Sequence, residues 1–225
     1  MRCRRSFLLG FAAAVLCAGF STAVLGQATA VQQSDAVVPV PRNNEWWMNR
    51  HTKMNERVKQ GNVDLLMIGD SITHGWEGRG KEVWAKYYDK RNAVNLGIGG
   101  DRTQHVLWRL DNGNIDGISP KLAVLMIGTN NSGSNTPEEI ADGVKAIVEK
   151  LRAKLPETKV LILAIFPRGS DEQRKDKTQD AAYNPLWAKN DQVNKMIAKF
   201  ADGRMVFYLD INKAFLNSDG VLTRD

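Results

Sequence analysis

Short apolar runs alternate with amphipathic stretches along most of the chain. Five runs have the length and composition of buried strands: Val63–Ile68, Ala93–Leu96, Leu122–Ile127, Lys159–Ile165 and Met205–Leu209. Helical periodicity falls before and between them, at Trp46–Val58 and near Lys81–Lys90, Thr103–Asp111, Pro137–Leu155 and Leu186–Phe200. Nearly continuous apolar strands separated by helices are typical of a parallel sheet covered on both faces. The pattern therefore predicts an α/β fold.

The first 44 residues do not follow this pattern. Over residues 1–26, basic residues, an uncharged apolar run and small residues follow one another, which is the design of a cleavable export signal. The apolar run is too short for a comfortable membrane span, so we expect no stable membrane anchor. Arg4 and Arg5 also suit a twin-arginine signal, a pattern that is weak beside ordinary secretion. We expect an exported protein, periplasmic or secreted, with a linker over residues 27–44 and one domain over residues 45–225.

Removal of the signal lowers the net charge from +6 to +3, because Arg2, Arg4 and Arg5 leave with no acidic residue. We see no helix or loop that concentrates Lys and Arg on one face, so no nucleic-acid partner is expected. Both cysteines, Cys3 and Cys17, lie in the signal, and the mature chain has no disulfide. The three histidines lack metal-ligand spacing. We therefore expect neither a metal nor another cofactor.

Candidate chemistry follows three successive strands. Ser71, in Gly69-Asp70-Ser71, comes after the first strand, Gly100 lies in a glycine-rich turn after the second, and Asn130 follows the third. Because ligands bind at the carboxyl edge of a parallel sheet, these residues are expected to meet there. Acyl transfer places negative charge on a carbonyl oxygen. The amides of Ser71 and Gly100 and the side chain of Asn130 could stabilise that charge.

Each of these motifs is weak when taken alone. Gly-Asp-Ser is more often an ordinary turn, and Asn130 alone is more often a turn residue than an oxyanion donor. The glycine turn could belong to a dinucleotide fingerprint, but Arg102 stands where the third glycine should be. The motifs gain specificity because they follow successive strands in order.

In that order the chain resembles the SGNH (GDSL-type) hydrolases, in the branch of the platelet-activating-factor acetylhydrolase catalytic subunits. The matching segments are Gly69–Thr73, Asn95–Asp101, Gln104–Leu110, Gly128–Asn130, Phe166–Gly169, Asn184–Leu186 and Phe215–Gly220. The resemblance implies a three-layer α/β/α, flavodoxin-like fold with five parallel strands in the order 2-1-3-4-5. It also implies Ser71 as nucleophile, with Ser71, Gly100 and Asn130 forming the oxyanion hole. The expected substrate is a small ester whose short, acetyl-type acyl group is carried by a lipid or a carbohydrate.

The family's fourth motif, Asp-x-x-His, is absent from the sequence. Asp219-Gly220-Val221-Leu222 places a leucine where the resemblance expects the histidine that activates the serine. We expect the sequence given to be incomplete at its C-terminus, without the last helix, and to be an inactive or weakly active esterase for that reason. The alternative is a non-catalytic ligand-binding domain that has lost its base.

The three histidines are poor substitutes for that base. We expect His51 on a solvated helix face and His105 in a packing or capping role. His74 follows Ser71 by three residues and would share a helix face with it, but the family does not use that position as a base. Trp76 and Trp108 are expected in the core rather than in an acyl pocket. The alcohol part of the substrate and the oligomeric state stay open.

Overall fold

A sheet of five parallel strands forms the centre of the fold. The computed structural model describes residues 33–169, 185–218 and Leu222. The strands are β1 (Leu65–Gly69), β2 (Ala93–Gly97), β3 (Leu122–Met126), β4 (Lys159–Leu163) and β5 (Val206–Leu209). They pair in the order β2-β1-β3-β4-β5, and every pairing is parallel. The expected α/β fold and its strand order are confirmed.

Helices connect the strands at close to the expected positions. They are α1 (Glu45–Lys59), α2 (Ser71–His74), α3 (Lys81–Tyr87), α4 (Thr103–Asp111), α5 (Pro137–Lys154) and α6 (Pro185–Ile197). Capping side chains set where the longer helices begin. The Asn44 side chain accepts a hydrogen bond from the Trp47 amide, and Thr136 forms a capping box with Glu139. These polar residues stand just before the apolar periodicity, which is why the helix starts could be predicted.

Most of the hydrophobic core lies on one face of the sheet. Helices α1, α4, α5 and α6 all contribute to it, through buried residues such as Trp47, Leu107, Ile147 and Val193. The opposing strand residues include Leu66, Ile68, Leu96, Leu125 and Ile162, all at most 1% exposed. Burial of this continuous apolar layer is the main source of stability.

The second face of the sheet is less completely covered by the described residues. Trp84 and Tyr88 of the α3 region pack against Leu65, Met67 and Val124. Toward β5 the cover thins, and Leu209 is 45% exposed. The sequence pattern predicts helices on both faces, and the described part of the chain meets that prediction on one face and partly on the other.

Residues 33–44 pack against the domain, whereas the sequence pattern assigned them to a linker. Ala36 is fully buried, and its carbonyl accepts a hydrogen bond of 2.7 Å from the Thr103 hydroxyl. The Asp35 carboxylate accepts hydrogen bonds from Gln104 and Asn135. The segment has no periodicity because side chains distant in sequence hold it.

Residues 1–32, with the predicted signal and cysteines, lie outside the described residues. Within the part of the chain that the structure describes, no helix combines the length and apolar character needed to cross a membrane.

Gly143 in α5 should test how closely residues 33–44 are packed. A Cβ at this position would lie 2.6 Å from the Thr103 hydroxyl and 2.8 Å from the Ala36 carbonyl. Gly→Ala within a helix normally stabilises by about 1 kcal/mol. We expect Gly143→Ala to lower the free energy of unfolding instead, by about 1–3 kcal/mol, because the backbone oxygen cannot move away freely. Urea denaturation measures the difference.

Gly133→Ala is the matched control, since a Cβ there would meet nothing within 4 Å. Its effect should stay within about 0.5 kcal/mol. A stabilising Gly143→Ala would contradict the packing described for residues 33–44.

Candidate active site

Ser71 lies at the first position of α2, directly beyond the end of β1. Asp70 caps this helix, and its Oδ1 accepts a hydrogen bond of 3.0 Å from the Ile72 amide. Asp70 therefore holds the turn that precedes Ser71. The Ser71 side chain is exposed, and its hydroxyl has no hydrogen-bond partner among the described residues. The turn thus presents an exposed hydroxyl at the carboxyl edge of the sheet.

The glycine turn after β2 approaches α2 closely. A Cβ on Gly97 would lie 2.3 Å from the His74 amide nitrogen, so only glycine fits there. A Cβ on Gly99 would lie 3.8 Å from the Cβ of Ser71. Gly100 has φ +78°, a conformation that favours glycine. The turn therefore lies beside the Ser71 side chain.

The Asn130 side chain joins these two loops. Its Nδ2 donates a hydrogen bond of 2.8 Å to the Asp101 carbonyl and lies 3.4 Å from Oδ2 of Asp70. Asp70 directly precedes Ser71, and Asp101 directly follows Gly100. The structure thus brings all three predicted site residues to one edge of the sheet. Their catalytic roles stay predictions.

Burial changes the acidity of Asp70. The side chain is fully buried, and burial raises its pKa from 3.8 to about 6. The Ile72 amide opposes this shift by its hydrogen bond, while the neighbouring Asp101 carboxyl adds to it. A carboxyl that titrates near neutral pH therefore lies immediately beside Ser71.

A buried ion pair supports both loops from below. Nε of Arg109 donates a hydrogen bond of 2.9 Å to the Asp101 carboxylate, and neither side chain is exposed. The Trp47 indole donates a second hydrogen bond to the Asp101 carboxylate, at 2.6 Å. Nη2 of Arg109 lies 3.5 Å from the Gly69 carbonyl. The motifs in the sequence did not predict this pair. One feature of the sequence does indicate it: Arg109 lies on the apolar face of amphipathic α4, where an unpaired charge is rare.

His51 and His105 are both engaged away from Ser71. The prediction of a solvated His51 is wrong: the side chain is 4% exposed and its ring lies against Trp47 and Trp108. The α1 periodicity puts it on the buried face, where asparagine side chains contact its nitrogens. The capping role of His105 is confirmed, since its Nδ1 accepts a hydrogen bond from the Arg102 amide.

His74 is the histidine nearest to Ser71. Its ring stacks on Trp46 with 6.0 Å between centroids, and its Nδ1 lies 3.8 Å from the point where a Gly99 Cβ would be. Burial and the Arg50 charge lower its pKa. No hydrogen bond joins His74 to the Ser71 hydroxyl. At the position expected for the family's histidine, Leu222 pairs with Leu216 in an antiparallel bridge.

One cavity adjoins Ser71, and a second lies beyond it. An open one of about 470 Å³ is lined by Ser71, Ile72, Gly75, Trp76, Arg79 and Gly80. Ile72 and Trp76 separate it from an apolar cavity of about 310 Å³ over the second face of the sheet. Trp76 therefore lines cavities, contrary to the predicted core role, although it also contacts Trp84 and Tyr88. Trp108 packs against the main core as expected.

Within the described residues, no group of three His, Cys, Asp or Glu side chains could hold a metal ion.

The pKa of Asp70 predicts a pH-dependent stability. A carboxyl whose pKa is higher in the folded than in the unfolded chain stabilises the fold below the unfolded pKa and loses that contribution as the pH rises through the folded pKa. The window runs from pH 3.8 to about 6. We expect Asp70→Asn to exceed the wild type in free energy of unfolding at pH 8 by about 1–3 kcal/mol, and not at pH 4. Denaturant titrations at both pH values measure this.

Asp202→Asn provides the opposite case. The amides of Val206, Arg204 and Met205 lower the pKa of Asp202 to about 2, so its contribution is present at neutral pH and is lost as the pH falls toward 2. This variant should be destabilised at pH 7 and much less so at pH 2. If Asp70→Asn, like Asp202→Asn, lowered the free energy of unfolding at neutral pH, the raised pKa assigned to Asp70 would be refuted.

Comparison with known proteins places the chain in a family. Residues 67–225 match the GDSL-like Lipase/Acylhydrolase family. The rat platelet-activating factor acetylhydrolase IB subunit alpha2 is 36% identical over 81% of this chain and 74% of its own length.

Two solved structures share the fold. A GDSL-like lipase from Bacteroides thetaiotaomicron has TM-score 0.58 and 18% identity, covering 78% of this chain and 83% of that one. Est24, a carbohydrate acetylesterase from Sinorhizobium meliloti, has TM-score 0.54 and 19% identity, covering 72% and 89%. The chain belongs to the GDSL-like lipase/acylhydrolase family and is an ester hydrolase of the SGNH type.

Proposed function

We propose that this site is built for the hydrolysis of short acyl esters, acetyl esters above all, with Ser71 as the nucleophile. The observation that carries the proposal is the exposed hydroxyl of Ser71 beside the Gly100 turn and Asn130, with no hydrogen-bond partner among the described residues. A relative at 36% identity is an acetylhydrolase, which supports a short acyl group. The alcohol part of the ester is a lipid or a carbohydrate.

The proposed reaction has two steps. The Ser71 Oγ attacks the ester carbonyl while its proton passes to a base, and the carbonyl oxygen becomes an oxyanion. The C–O bond to the alcohol then breaks, the alcohol takes the proton, and an acyl-serine remains. Water attacks this acyl-enzyme in the same way and releases the acid.

The oxyanion hole is assigned to the amides of Ser71 and Gly100 and to the Asn130 side chain. One hydrogen of the Asn130 amide is used by the Asp101 carbonyl at 2.8 Å. The second faces Asp70 at 3.4 Å, which is long for a hydrogen bond and leaves it available to a substrate oxygen. A donor of this kind contributes about 10²–10³ in kcat.

In the described part of the chain, none of the three histidines is hydrogen-bonded to Ser71. His51 and His105 are held elsewhere, and His74 is stacked on Trp46 without a hydrogen bond to the serine. A serine without a base is a poor nucleophile. The same observation favours the second candidate, a non-catalytic domain that binds esters without cleaving them.

The export signal predicts where the protein acts. We propose that the mature chain is periplasmic or secreted and begins between residues 27 and 31, because a charged start, an apolar run and small residues precede that point. N-terminal sequencing of the extracytoplasmic protein is expected to find this start, and an intact Met1 on such material would refute it.

Hydrolysis of p-nitrophenyl acetate tests the enzymatic proposal. We expect the 225-residue chain to be inactive or nearly so, because no base contacts Ser71 among the described residues. Appending a tail with Asp-x-x-His and a closing helix should raise kcat by several orders of magnitude, about what a triad base contributes.

Two variants of the extended protein serve as controls. Ser71→Ala should abolish the restored activity, and Asn130→Ala should lower kcat by about 10²–10³. Full activity of the 225-residue chain that is lost in His74→Ala would show that the base is local. A folded but inactive extended chain would favour the non-catalytic domain.

A further inference from the structure

A groove with an aromatic end and a basic floor leads away from Ser71 along α1. Its first cavity, of about 290 Å³, is lined by Trp46, Asn49, Arg50, Lys53 and His74. A second, of about 300 Å³, shares Arg50 and Lys53 with the first and continues past Arg57 and Glu77. Arg50 and Lys53 line both cavities, so the two adjoin along α1, and together they are called here the α1 groove.

The aromatic end of the α1 groove lies beside the nucleophile. A Cβ on Gly99 would be 3.8 Å from the Ser71 Cβ, from the His74 Nδ1 and from the Trp46 Cη2. Trp46 is 52% exposed and stacks on His74 with 29° between the ring planes. A large aromatic ring left this exposed offers a flat apolar face to a ligand whose ester carbonyl is at Ser71.

The helix geometry explains why these residues share one surface. Trp46, Asn49, Arg50 and Lys53 recur at spacings of three and four, so they lie on one face of α1. The opposite face carries Trp47 and the other buried core residues. The expectation that no helix concentrates basic residues on one face is therefore wrong for α1, where Arg57 continues the row.

The charge of the groove is positive. Arg50 forms a two-pronged ion pair with Glu77, at 2.8 and 2.9 Å, which neutralises it. Lys53 and Arg57 have no carboxylate partner among the described residues, and Arg57 donates only to backbone carbonyls. Two cations therefore remain for a ligand.

The walls of the α1 groove combine aromatic, apolar and charged groups. In its first cavity Trp46 is the sole apolar side chain beside amide, guanidinium, ammonium and imidazole groups, and the second cavity adds Met54, Trp84, Ala93 and Val94. A pyranose ring suits such a site, because its C–H face packs on an aromatic ring while its hydroxyls bond polar groups. Lys53 and Arg57 would bind carboxylates carried by successive rings.

We infer that the α1 groove binds the alcohol part of the substrate and that this alcohol is an acidic oligosaccharide, a chain of sugars bearing carboxylates. The inference rests on the proposed function, because it names the alcohol of that ester. Trp46 packs on the acetylated sugar at Ser71, and the following sugars of the oligosaccharide extend over Lys53 toward Arg57.

Binding measurements test this without any turnover. The probe is trimannuronate, and its methyl ester is the comparison, since esterification removes the negative charges and adds only small methyl groups. The indole N–H signal of Trp46, identified by its loss in Trp46→Phe, should shift on titration in ¹H–¹⁵N spectra. We expect trimannuronate to bind about tenfold more tightly than the methyl ester at low salt, because two partly exposed ion pairs form. The preference should shrink at 0.5 M NaCl.

Two lysine variants on α1 distinguish an ion pair formed in the groove from a general effect of the protein's positive charge. Lys53→Met should reduce the tenfold preference to about threefold, since one of two ion pairs is lost. Lys59→Met makes the same change at an exposed lysine outside both cavities and should keep the preference. Equal affinity for the two probes, or binding that leaves the Trp46 signal unmoved, would overturn the inference.

The remaining outcomes also decide the question. If glycerol 3-phosphate shifts the Trp46 signal and trimannuronate does not, the ligand is a phosphate-bearing alcohol and the inference is wrong. Selective binding of trimannuronate by a protein that never cleaves p-nitrophenyl acetate, even with the added tail, would support the groove and refute the esterase proposal. Cleavage without selective binding would do the reverse.

Discussion

The buried Asp101–Arg109 ion pair is the interaction on which the candidate site depends. Asp101 directly follows Gly100, and Arg109 also reaches the carbonyl of Gly69, so one pair connects the two loops around Ser71. The Trp47 indole adds α1 to the same cluster. Breaking a buried pair costs about 3–5 kcal/mol, because the remaining charge is left without a partner. The geometry of the oxyanion loops is therefore coupled to the packing of α1 and α4.

The polar cluster extends beyond this pair and explains other features of the fold. Nη1 of Arg109 donates to Asn114, whose amide in turn contacts His51 and Asn55. Because every member has a polar partner, the cluster can be buried without an unsatisfied group. Burial also lowers the pKa of His51, which keeps this imidazole neutral beside the Arg109 charge. The histidine thus serves structure, and its distance from Ser71 follows from that role.

The sequence predicts the sheet more fully than the site. Apolar runs such as that ending at Gly69 identify each strand, and the motif spacing places Ser71, Gly100 and Asn130 at one edge. Residues 33–44 were misassigned because Ala36 and Asp35 are held by Thr103, Gln104 and Asn135, which no local pattern connects to them. His51 was misplaced because its charged neighbours suggested a solvated face, whereas the helical period of α1 puts it with Trp47. Long-range polar contacts leave no periodic trace in a sequence.

Helix α1 has two functions, and different faces of the helix carry them. Its buried face carries Trp47, which fixes Asp101 and through it the Gly100 turn. Its other face carries Trp46, which lies next to the same turn but stays exposed. Consecutive residues on a helix point about 100° apart, so two adjacent tryptophans can hold the loop from below and extend the surface beside Ser71. The same helix turn thereby fixes the position of the oxyanion loop relative to the α1 groove.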